Sequence, residues 1–89
     1  MSQKILIADD EPNILMSLEF LMKREGYTVV LARDGQEALS VIASERPDLV
    51  LLDVMMPGMS GYEVCQAIRA NPAHHMLPVV LVTALDPTK

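Results

Sequence analysis

LLDVMMPGMSG, residues 51–61, is an apolar run that delivers one aspartate, Asp53, to its tip just ahead of a proline and glycine turn. Aspartate commonly starts a turn by hydrogen-bonding its own backbone, so local geometry alone can account for Asp53. A chemical role requires other groups to reach the same tip. The rest of the chain decides whether they do.

Working outward, that run is the third of four short segments of one kind: KILIA (4–8), TVVLA (28–32), DLVLL (48–52) and PVVLV (78–82). They are rich in β-branched residues and show little polar alternation, which suits strands covered on both faces of a parallel sheet. Between the first two, Ile14, Leu15, Leu18, Leu21 and Met22 fall at helical spacing behind Pro12, a residue tolerated in a first helical turn, and Gly26 ends that helix. Asp34 with Glu37, and Ser60 with Glu63, have the spacing of an N-cap and its capping-box partner. Ala38, Val41 and Ile42 form one buried stripe and Val64, Ala67 and Ile68 another, with Pro47 and Pro72 bounding the two helices. The order βαβαβαβ predicts right-handed crossovers and an α/β, doubly wound parallel sheet with helices on both faces.

Composition narrows the function. The 89 residues allow one domain, 1–89, and 51% hydrophobic with 21% charged residues is the profile of a globular chain. A net charge of −5 argues against nucleic acid as a direct partner, because that affinity comes from clustered Lys and Arg. No apolar run reaches the ~18 residues of a membrane span. MSQKILIADDEP turns acidic too early for a signal peptide, so a cytoplasmic location is expected. The single Cys65 has no intrachain partner for a disulfide.

In an open parallel sheet, ligands bind beyond the carboxyl ends of the strands, where strand order reverses. With the flavodoxin-like order 2-1-3-4, that point lies between the first and third strands, which end in ADDEP and LLDVM. Asp9, Asp10 and Asp53 would then converge. Three carboxylates in close approach repel one another, and Mg²⁺, which prefers oxygen ligands, removes the conflict. The same cation would offset the charge of an incoming phosphoryl group, and a carboxylate can form an aspartyl phosphate, which makes Asp53 the nucleophile. Thr83, at the end of the fourth strand, would offer a hydroxyl at the same edge, although threonine is also simply a good strand residue. Asp9 and Asp10 also suit a plain helix start, where acids favour the dipole. His74 and His75 read as solvated loop residues and Cys65 as a packed side chain.

ADDEP after the first strand, DVMMPGMSG after the third and TA after the fourth together resemble the receiver domain of bacterial two-component response regulators, along the whole chain. The resemblance implies a CheY-like phosphorelay module rather than an enzyme. It implies that Asp53 accepts a phosphoryl group from a histidine kinase, a phosphotransfer protein or a small acyl phosphate. Asp9, Asp10, Asp53 and the Met55 backbone carbonyl would hold Mg²⁺. Thr83 would be the switch hydroxyl, while Pro57 and Gly61 shape the loop.

The chain departs from the family at its end. It stops at TALDPTK, before the fifth strand, the lysine that pairs with the phosphoryl group, and the last helices. Lys89 is too close to Thr83 to take that role. This predicts impaired output and self-association through an exposed fourth strand. Two competing readings are an aspartate-nucleophile phosphatase and a structural fragment without phosphotransfer. A flavin site is weak, since acids rather than a phosphate-cradling loop follow the first strand.

Overall fold

The structure is a computed structural model and describes residues 3–82. Strands β1 (Lys4–Ala8), β2 (Thr28–Ala32), β3 (Leu49–Asp53) and β4 (Val79–Val82) alternate with helices α1 (Pro12–Arg24), α2 (Gly35–Glu45) and α3 (Gly61–Ala70). The strands form one parallel sheet in the order β2-β1-β3-β4, the predicted flavodoxin-like arrangement. Strand order reverses between β1 and β3, so their carboxyl ends flank the topological switch point.

Strand pleating separates two cores. Leu6, Ala8, Ala32, Val50 and Leu52 point to one face, where Ala38 and Ile42 of α2 and Val64 and Ile68 of α3 cover them. Ile5 and Ile7 point to the other and meet Leu15 of α1, with Leu18, Met22, Leu49 and Leu51 packed around them. Burial on both faces explains why β1 and β3 read as continuous apolar runs, whereas β4, expected to be covered on both faces as well, leaves Val80 and Val82 exposed.

The helix ends follow from their caps. Ser60 and Glu63 form the full capping box of α3, with Glu63 N–H donating to Ser60 Oγ at 3.2 Å and Ser60 N–H donating to Glu63 Oε1 at 3.3 Å. Gly26, at φ 96°, follows α1 and supplies the left-handed turn that leads into β2.

Details differ from the sequence reading, beginning with β4, which opens at Val79 rather than Pro78. β3 runs one residue later than expected, which makes Asp53 its last residue rather than the first of a turn. Glu37 completes only half a capping box: Asp34 accepts from Glu37 N–H, but the Glu37 carboxylate accepts from Arg33 N–H at 2.6 Å, one residue before the cap. Ile14 and Leu21, placed on the buried stripe of α1, are exposed, because Leu15, Leu18 and Met22 fill the contact with the sheet and the other two fall on its flank.

Candidate functional site

The site begins with the register of the strands. The last paired row joins Ala8 to Ala32 on one side and to Leu52 on the other. One step further, Asp9 N–H donates to the Ala32 carbonyl at 3.1 Å, and Asp9 stands between Arg33 and Asp53. Alternation along each strand puts this row on the α1 face, since Ile7, Leu31 and Leu51 point there while Ala8, Ala32 and Leu52 point to the α2–α3 face.

Asp9, Asp10 and Asp53 each offer a carboxylate oxygen, and these atoms lie within 4.8 Å of one another. Asp9 is 4% exposed and Asp53 8%, while Asp10 is open to solvent. The acids are not spent on capping α1, because that cap is Glu11, whose side chain accepts from Asn13 N–H. Asp9 Oδ1 accepts from Glu11 N–H at 2.9 Å, which fixes its side chain in the cluster.

Crowding perturbs both buried acids. The Asp53 carboxyl is pushed above its ordinary range, first by burial and then by the charge of Asp9, with the backbone N–H groups of Met55 and Val54 partly offsetting the rise. Asp9 is raised for the same leading reason, with Asp10 and Glu11 adding repulsion. An all-carboxylate donor set that is buried, closely spaced and mutually repelling fits a hard divalent cation such as Mg²⁺. These residues fit that ion on their chemistry.

The loop after β3 is held by backbone approach rather than by side chains. Gly61 N–H donates to the Val54 carbonyl at 2.9 Å, and a Cβ on Gly61 would collide with the Asp53 carbonyl oxygen. Gly58 takes φ 79°, which turns the chain back toward α3. Met55 is 75% exposed at the mouth of the site, whereas Met56 is buried in the core.

Thr83 lies outside the described residues, as does Lys89. His74 and His75 sit in the turn between α3 and β4, where His75 Nδ1 bonds the Pro72 carbonyl, far along the sheet from the acids. Cys65 lies on α3 and is half-buried, outside the acid cluster. Arg33 was not singled out from the sequence. Its only signal there was its position, one residue past the second strand.

Known proteins share this arrangement. The profile of the response regulator receiver domain matches residues 5–89. The alkaline phosphatase synthesis transcriptional regulatory protein PhoP of Bacillus subtilis is 44% identical over 86 residues, covering 97% of this chain. The chain spans about a third of that relative's length, 35%. The N-terminal domain of a response regulator receiver protein from Methanoculleus marisnigri superposes with a TM-score of 0.90 at 39% identity, over 97% of this chain and 72% of that one. The response regulator TrrA from Thermotoga maritima, solved in complex with Mg(2+)-BeF, gives a TM-score of 0.87 at 42% identity, over 94% of this chain and 71% of that one. Four parallel strands in the order 2-1-3-4, an acid cluster at their switch point and these matches give one result: the chain belongs to the response regulator receiver domain family, a family of two-component signalling modules.

Proposed function

We propose that the chain is an Mg²⁺-dependent phosphoacceptor, and that Asp53 is the residue phosphorylated. The observation that carries this reading is the convergence of the three carboxylates within 4.8 Å at the ends of β1 and β3. In the reaction, an Asp53 carboxylate oxygen attacks the phosphorus of a phosphohistidine or an acyl phosphate. The new O–P bond forms as the P–N or P–O bond to the donor breaks, and the electron pair leaves with the donor's nitrogen or oxygen. Mg²⁺, when bound, supplies positive charge against the phosphoryl oxygens.

This chain's own residues do the remainder. Asp9, Asp10 and Asp53 would hold the cation, with the Met55 backbone carbonyl, carried over from the family, as a further ligand. The Thr83 hydroxyl, carried over from the family, would donate to a phosphoryl oxygen and report the modification. The donor is a sensor histidine kinase or phosphotransfer protein, and small acyl phosphates serve as substitutes. Spontaneous loss of the phosphoryl group to water is the only turnover expected. A cytoplasmic location goes with such donors, and no described helix is long and apolar enough to cross a membrane.

Native mass spectrometry with Mg²⁺ and acetyl phosphate tests the reading. The wild-type chain should gain one phosphoryl group and the Asp53→Asn variant none. Turnover of a generic phosphate ester without any covalent gain would favour the phosphatase alternative instead, and no gain in a folded sample would favour the structural one.

A second reading concerns association. Among the described residues, β4 pairs only with β3, and Val80 and Val82 are 48% and 39% exposed on its α1 face. An apolar strand whose outer edge has no partner among the described residues favours pairing with a second copy of the chain. Sedimentation should show a mass that rises with concentration; a monomer at every concentration refutes it.

A further inference from the structure

Charge is sorted along the sheet. Lys4 opens β1, Lys23 and Arg24 close α1, Arg46 caps the end of α2 and Arg69 lies in the last turn of α3. All five stand at the end of the sheet opposite the acid cluster, because the helices run antiparallel to the strands they connect. Most of the described acids collect at the other end, where Asp9, Asp10, Glu11 and Asp53 are joined by Asp34, Glu37 and Glu63 at the helix starts, while Glu25, Glu45 and Asp48 stand among the bases and Glu45 pairs with Lys4. Among the described residues, Arg33 is the one cation at that end.

Two observations set Arg33 apart, and a third, shared with Arg24 and Arg46, leaves its charge free to act. By register its Cα is the neighbour of the Asp9 Cα across β1 and β2, on the row that carries Asp53, adjacent parallel backbones being about 4.8 Å apart, while its charge stands far enough off to leave the Asp9 and Asp53 carboxyls to their acidic neighbours. Its side chain lies on the α1 face, where it lines an open cavity of about 500 Å³ with Pro12, Leu15, Met16 and Glu37. Its guanidinium is exposed and makes no hydrogen bond or ion pair among the described residues, its backbone N–H alone being held by Glu37. The contrast is Arg69, whose guanidinium is committed to the carbonyls of His75 and Leu77.

We propose that Arg33 is an anion-attracting positioning residue of the phosphoacceptor site, one that draws a phosphate-bearing donor onto the acid row. The inference rests on the phosphoacceptor reading above. A phosphate approaching this end meets a dense negative field, which slows encounter until something locally reverses it. A planar guanidinium suits that task, since it is weakly hydrated and matches phosphate oxygens with two parallel donors. From one strand beyond Asp9 it acts on the approach of the donor, while Asp53 does the chemistry.

A charge in this position has effects of opposite sign on the two ions the site takes. It speeds the arrival of an anion and weakens the binding of a cation. The Arg33→Ala variant should therefore take phosphoryl groups from acetyl phosphate about fivefold more slowly at low salt, the difference closing as salt is raised. The same variant should bind Mg²⁺ about two- to threefold more tightly by calorimetry with the metal alone. Arg33→Lys should retain most of both properties, Arg33→Glu should exaggerate both, and Arg24→Ala, which removes the same charge from the far end, should change neither.

Equal behaviour of Arg33→Ala and Arg24→Ala overturns the inference. So does a loss of both rate and Mg²⁺ affinity, which would mean a displaced acid row rather than a missing charge. If the wild-type chain accepts no phosphoryl group, the phosphoacceptor reading fails on its own. The Mg²⁺ comparison then decides for or against Arg33 as the charge of this row.

Discussion

On the α2–α3 face of the sheet, Leu6, Val50 and Leu52 are sealed from solvent by two helices, whereas on the α1 face the cover thins across β3 and leaves Val80 and Val82 of β4 open. The same four strands supply both faces, and the residue types are alike, mostly Val, Leu and Ile. The difference therefore lies in how many helices land on each side, not in the chemistry of the strands. It also separates two tasks. The sealed face holds the molecule together, and the row of Asp9, Arg33 and Asp53 emerges on the more open one, where a donor can reach it.

Substitution should expose this division most sharply in the core. Leu6→Ala opens a cavity beneath two helices and should cost about 2–5 kcal/mol in urea denaturation. A cost near zero would show that the α2–α3 face is less closely packed than its burial indicates.

The acid row should behave in the opposite sense. Asp9 and Asp53 have carboxyls raised by folding, so the folded chain holds their protons more tightly than the unfolded chain. Their contribution to stability is full below the ordinary carboxylate pKa and is lost as pH rises through the raised values. At neutral pH without metal, Asp9→Asn should therefore melt higher than wild type. Mg²⁺ at about 100 times its Kd should add about 2.7 kcal/mol to the wild-type chain and almost nothing to the variant. Equal stabilisation of both by Mg²⁺ would remove Asp9 from the metal site.

Gly61→Ala joins the two regions, because its new methyl group presses on the backbone of Asp53 from the start of α3. A loss of about 1–3 kcal/mol is expected, together with slower phosphoryl gain, as the strand tip shifts. Unchanged stability with unchanged phosphoryl gain would show that the loop yields freely. The smallest effect belongs to the open face: Val80→Ala should change stability by no more than about 0.5 kcal/mol in the monomer. A larger loss that grows with protein concentration would instead mark Val80 as part of a contact between copies.

Much of this was legible in the chain. Apolar runs of five residues, the Ser60–Glu63 pair and Gly26 act over a few residues, so their spacing alone fixes strand, cap and stop. The acid cluster was legible for a different reason: parallel topology brings strand ends together, and Asp9, Asp10 and Asp53 sit at those ends. What escaped depended on neighbours distant in sequence. Ile14 and Leu21 keep perfect helical spacing yet remain exposed, because the breadth of the buried stripe is set by what α1 lands on. Glu37 has the spacing of a capping partner, but a backbone N–H at the end of β2 competes for its carboxylate.

The sequence by itself determined the order of elements, the parallel sheet and the identity of the acids, since each rests on periodicity or on a residue's own chemistry. The tertiary structure alone decided which face those acids share and that Arg33 stands in their row. A strand's side chains alternate between two faces, and only the register between strands tells which residues of different strands stand side by side.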